Sequence, residues 1–147
     1  MSDILVVGSV GYDTITTPKG QREGILGGSA NYFSLAAAHY AKIHVVGVVG
    51  DDYQDQHRNM LEERGVDLRG LQTVSGKTFR WSGKYEKDMN EATTLATHLN
   101  VFENFHPAIP AEYRDSKTVF LANIDPVLQL QVLEQVKNPR LIAADTM

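Results

Sequence analysis

The 147-residue sequence predicts an α/β fold, a mostly parallel central sheet covered by helices with a small β flap set apart from it. Two observations lead there. Four short apolar runs, residues 4–7, 45–49, 118–122 and 141–144, each meet a Gly, Asn or Asp (Gly8, Gly50, Asn123, Asp145). Runs that are apolar on both faces suit parallel strands buried between helices. Helical patterns lie between these runs, and the alternation of strand with helix is that of an α/β chain.

Taken in order, residues 4–7 form the first strand, and Gly8 to Asp13 leave its end. Residues 14–17 are β-branched and reach a turn at Lys19-Gly20-Gln21-Arg22, with 24–26 returning as the second arm of a flap. Residues 29–41 place Tyr32, Phe33, Leu35, Ala36 and Tyr40 at mixed three- and four-residue spacings, as a helix does. A second helix runs over 53–64, with Asp52 as its candidate cap and Gly65 as its stop. Residues 71–99, rich in Thr, Val and aromatics and broken by Ser75-Gly76 and Asp88-Met89-Asn90, predict further flap strands. Residues 102–117 read as an irregular connector. A third helix over 126–137 opens with Pro126 after Asp125 and is followed by Asn138-Pro139.

Composition narrows the function classes. With 42% hydrophobic and 22% charged residues the chain is ordinary for a globular domain. At this length about 68–70% of the unfolded surface can be buried. A net charge of −4 argues against a nucleic-acid binder, and no apolar run approaches the ~20 residues of a membrane span. The absence of cysteine excludes thiolate chemistry and disulfides within the chain. No signal peptide is visible at the start, so a cytoplasmic location is the default expectation.

Several motifs fail on spacing. Ser75-Gly76-Lys77-Thr78 resembles the tail of a P-loop, but the leading glycine would fall at Leu71 and no helix follows; it reads as a hairpin turn. Val7-Gly8-Ser9-Val10-Gly11 lacks the dinucleotide-binding spacing and leads into strand-like residues. The five histidines show no metal-ligand spacing, and no metal site is expected in the chain. No nucleophile elbow is present.

What survives is a constellation around Gly27-Gly28-Ser29-Ala30-Asn31, a glycine pair opening into a helix N-terminus. Glycines let backbone approach a ligand, and Asn31 offers both a donor and an acceptor, which suits hydroxyl groups. Asp13 lies just past the first strand, where open α/β sheets bind ligands, and could accept hydrogen bonds from two neighbouring hydroxyls. The other reading of an Asp there is an Asx-type turn.

Gly8 to Asp13, Gly27 to Asn31, Val46-Gly47-Val48-Val49-Gly50-Asp51-Asp52, and Leu61 to Leu68 followed by Thr78 resemble, in order and spacing, the N-terminal half of the ribokinase (PfkB-type carbohydrate kinase) family. The resemblance covers essentially the whole chain. It implies a ribokinase-like three-layer fold in which 1–147 is the N-terminal part of a single domain, incomplete here, with lid segments at about 14–26 and 71–99. It implies ATP-dependent phosphorylation of a hydroxyl on a sugar or ribosyl substrate by the intact protein, with ATP and Mg²⁺ sites mainly beyond Met147. Asp13, Gly27, Gly28 and Asn31 would hold the substrate, with Asn123 and Asp145 as neighbours of the site. Phe79 and Trp81 share one strand face of the lid, where they could cover a sugar ring, pack the lid, or join two lids in a homodimer.

One departure matters. The family's catalytic Gly-Ala-Gly-Asp type sequence, whose aspartate deprotonates the attacking hydroxyl, has no match here, so no catalytic residue is expected in this chain. These 147 residues are expected to be the front half of a longer protein and inactive alone, with 141–144 left as an open sheet edge. The alternatives are a non-catalytic sugar- or nucleoside-binding module and a lid-mediated dimerisation module.

Overall fold

A computed structural model describes residues 3–146. The main sheet consists of β1 (Asp3–Val7), β4 (Lys42–Val49), β5 (Val66–Thr73), β8 (Thr118–Leu121) and β9 (Leu141–Ala144), in the order β5-β4-β1-β8-β9. Every neighbouring pair is parallel, with Val6 of the central strand opposite Val45 on one side and Phe120 on the other. A smaller sheet contains β2 (Gly11–Thr17), β3 (Gly20–Gly27), β6 (Phe79–Tyr85) and β7 (Ala92–His98), in the order β3-β2-β6-β7.

Three layers form because alternate residues of the central strands face opposite ways. Val6, Ile43 and Val45 pack with Ala30 and Phe33 of α1 (Ser29–Ala37) and with Leu61 of α2 (Asp55–Glu62). Leu5, Val7, Val46 and Val119 face the other way, onto Val132 of α3 (Pro126–Gln135) and onto Phe105, Ile109 and Tyr113 of the connector. Phe33 stacks on Phe120 at 3.8 Å between ring centres. The connector is held by two short 3₁₀ helices, Asn100–Asn104 and Ala111–Tyr113. Asp125 caps α3 by accepting from the Val127 N–H at 2.8 Å, with Pro126 in the first turn.

Parallel neighbours need long crossovers, and two of these carry the lid. The chain leaves the carboxyl end of β1 through β2 and β3 before α1, and leaves the carboxyl end of β5 through β6 and β7. Both excursions therefore rise from the same edge of the sheet, where β2 and β6 pair side by side.

Two boundaries differ from expectation. The second lid segment does not start at residue 71: residues 66–73 are an edge strand of the main sheet, with Leu71 opposite Gly47. Val66, Leu68 and Leu71 are buried in the core while Asp67 and Arg69 point outward and pair at 2.6 Å. Asp52 does not cap α2, whose cap position is Gln54; its carboxylate is committed to the lid instead. Among the described residues no helix is long and apolar enough to cross a membrane.

Candidate functional site

A cleft of about 430 Å³ lies between the carboxyl edge of the main sheet and the lid. Its floor is made by Ser9, Gly28, Ser29 and Asn123, and its wall by Asp13, Phe79, Trp81 and Tyr85 with Ala92 and Thr94 of β7. Crevices beyond the carboxyl ends of parallel strands collect ligands because loops from several strands converge there.

The floor is tied together by hydroxyls. The Ser29 N–H donates to Ser9 Oγ at 3.1 Å, and the Asn123 N–H donates to Ser29 Oγ at 2.8 Å. The two hydroxyls also meet at 3.2 Å, and the Ala30 N–H donates to the Ser9 carbonyl at 3.1 Å. This clasp joins the ends of β1 and β8 to the first turn of α1 and satisfies two of the N–H groups a helix leaves open. It depends on Gly28, whose φ of 94° disfavours other residues and whose missing Cβ would collide with the Ser9 carbonyl.

Asp13 projects from β2 beside the clasp. Burial pushes its carboxyl above the usual carboxylate range. Its carboxylate lies against Gly27, where any side chain would strike it. The glycine pair thus has two local duties, admitting Asp13 and letting Ser9 approach the helix.

The lid wall follows from β6, whose alternate residues Phe79 and Trp81 share the cleft side. This sheet is joined to the main one by a polar hinge after β4. The Asp51 carboxylate accepts from the Gly76 N–H at 3.1 Å, and Asp52 accepts from the Thr78 N–H at 2.7 Å. The buried Thr78 hydroxyl accepts from the Gly50 N–H at 3.0 Å. Arg80 pairs with Asp52 at 2.8 Å and lies over the Tyr12 ring, 5.2 Å from its centre. Burial raises the Asp52 pKa, but the bonds from Thr78 and Arg80 outweigh it and leave a net lowering.

Of the residues singled out from sequence, Asp13, Gly28, Asn123, Phe79 and Trp81 line the cleft, and Gly27 stands behind Asp13. Asn31 and Asp145 are not among the lining residues. Asn31 is 1% exposed, and its amide donates to the Gly27 carbonyl at 2.6 Å, bracing the glycine turn. The Asp145 N–H bonds the Leu121 carbonyl at 2.9 Å, continuing the β8–β9 ladder. Sequence reasoning missed Ser9, Ser29, Tyr85 and Thr94. Ser29, directly after the glycine pair, carried the visible signal, a short hydroxyl at a helix start.

No family model matches the chain. A cytidine kinase of Thermococcus kodakarensis is 30% identical over 143 residues, which are 96% of this chain and 50% of that protein. The chain thus spans about half the length of the curated relative it matches. A nucleoside kinase of Methanocaldococcus jannaschii, described as an archaeal member of the ribokinase family, superposes with a TM-score of 0.75 at 18% identity, covering 99% of this chain and 52% of that one. A ribokinase of Cryptococcus neoformans in complex with ADP gives a TM-score of 0.67 at 22% identity, over 82% and 42% of the two chains. With its parallel sheet, its lid and these relatives, the chain shares the ribokinase-like fold and matches the N-terminal half of ribokinase-family (PfkB-type) sugar and nucleoside kinases.

Proposed function

We propose that this chain is the substrate-holding half of a kinase that moves a phosphoryl group from ATP to a hydroxyl of a sugar or ribosyl compound. One observation carries the reading: a half-buried Asp13 carboxylate faces a cleft floored by the converging ends of β1, α1 and β8 and walled by the lid. A carboxylate accepts from two hydroxyls at once, and two such donors offset the cost of keeping it charged away from water. The relatives support the reaction class, one being named a cytidine kinase and one a ribokinase holding ADP.

The division of labour follows from the chemistry. Phosphoryl transfer relies on positioning and charge stabilisation, and the residues here supply the first of these. Asp13 and the clasp hold the acceptor, while the lid excludes water. ATP and Mg²⁺ belong to the same reading, and the neighbour in complex with ADP supports the nucleotide. On this reading the group that takes the hydroxyl proton lies in sequence beyond Met147.

The test is a panel of pentoses, hexoses and nucleosides assayed for ADP release with the full-length protein. Asp13→Ala is expected to raise KM for the accepted substrate by about 10- to 100-fold, the usual worth of hydrogen bonds to a charged group. KM should also rise on acidification, because an Asp13 held above its ordinary pKa loses its charge early. Unchanged kinetics in Asp13→Ala would remove Asp13 from the site.

A further inference from the structure

The side of β6 that faces the cleft carries Phe79, Trp81, Gly83 and Tyr85 in turn, an aromatic row with one side chain missing. The gap is filled by a neighbour. A Cβ on Gly83 would lie 2.7 Å from Cζ3 of Trp81, so the six-membered ring of the indole occupies the space that a side chain at 83 would need. The other end of the indole is fixed too, its Nε1–H donating to Thr94 Oγ1 at 3.2 Å across to β7. The strand pairing shifts register between Ser82 and Gly83, at the point where the ring comes down. Trp81 therefore leans along the lid with its benzo ring on Gly83 backbone, and its free side belongs to the cleft it lines.

The cleft offers two chemistries. Ser9, Asp13, Ser29 and Asn123 offer hydrogen bonds, and beside Asp13, on the paired strand, Trp81 opens an apolar wall that Tyr85 and Ala92 continue. A free pentose satisfies the first and leaves the second wet. A nucleoside satisfies both, with ribose hydroxyls on Asp13 and the base against the indole. We infer that Gly83, by letting Trp81 lie flat, makes this cleft selective for a nucleoside over a free sugar. The inference rests on the reading of the cleft as the acceptor site and adds to it the class of acceptor and the residue that selects it.

Calorimetric titration of the full-length protein with cytidine, inosine and D-ribose tests it. Wild type should bind at least one nucleoside more tightly than ribose. Trp81→Leu and Gly83→Ala should each weaken that nucleoside about tenfold, the usual worth of one base stacked on an aromatic ring, and shift ribose by less than about twofold. Trp81→Phe, which keeps a flat ring, should recover most of the loss, and circular dichroism melts of each variant report whether the lid still folds. Ribose bound as tightly as the nucleosides, or both weakened equally in Trp81→Leu, would overturn the inference while leaving the kinase reading in place. Wild type binding none of the three, with no ADP release across the sugar panel, would sink the kinase reading itself.

Discussion

In the main sheet, β1 and β4 bury Leu5, Val6, Val7, Val45 and Val46 between layers of helix, whereas β7 of the lid leaves Thr93, Thr94 and Leu95 exposed. The two sheets are held by different physics. Apolar burial on both faces is non-directional and strong, at roughly 25 cal/mol for each Å² removed from water. The outer strands of the lid have little of it; at its root the lid is anchored by Tyr12 of β2, buried in the main core, and by the bonds that Asp51 and Asp52 accept from Gly76, Thr78 and Arg80. A sheet anchored at its root and exposed along its far strands is suited to open and close over a ligand, as loops and lids over active sites do.

That contrast breaks most visibly in the core. Leu5→Ala, at a position 0% exposed, should cost about 2–5 kcal/mol in urea unfolding, while Leu95→Ala, 59% exposed on the lid, should stay within about 0.5 kcal/mol. Comparable losses at the two sites would mean that the lid is part of the cooperative core.

At the hinge the expected effect is intermediate. Thr78→Val leaves the Gly50 N–H without its acceptor and should cost about 1–3 kcal/mol. Hydrogen exchange should quicken across β6 and β7 more than across β1 and β4. Uniform quickening would show the hinge to be a core element.

The smallest effect belongs to the ion pair. Asp52 and Arg80 are partly exposed, so solvent screening holds Arg80→Ala to about 0.2–1 kcal/mol. Its pH dependence is more telling. Because the Asp52 pKa is lowered in the folded protein, its contribution is complete above the unfolded carboxylate value and is lost as pH falls through the folded one. Asp52→Asn should abolish that acid-side loss; an unchanged profile would assign it to another carboxylate.

Legibility followed the same division. The four apolar runs became four parallel strands; β1, β4 and β8 are largely buried, as runs apolar on both faces require, while β9 at the sheet edge is exposed at all four residues. The fifth, β5, was hidden, since Val66 and Leu68 alternate with Asp67 and Arg69 as in a half-exposed strand and the pattern then breaks at Gly70-Leu71. Asp52 sits where helix caps sit, yet the hinge claims it, a choice set by Thr78 and Arg80 from 26 and 28 residues away. Asn31 has an amide that suits hydroxyls; the turn of the chain sends its Nδ2 to the Gly27 carbonyl, a partner that the residue type alone does not reveal.

Local chemistry was enough to place four of the five main-sheet strands, the helix that opens at Gly28 and the acidic residue beyond β1, since apolar patterning and glycine stereochemistry act over a few residues. Which side chains share the cleft depended on two distant excursions pairing β2 with β6. That pairing sets Asp13 beside Trp81, 68 positions later, and no local preference encodes a partner so far along the chain.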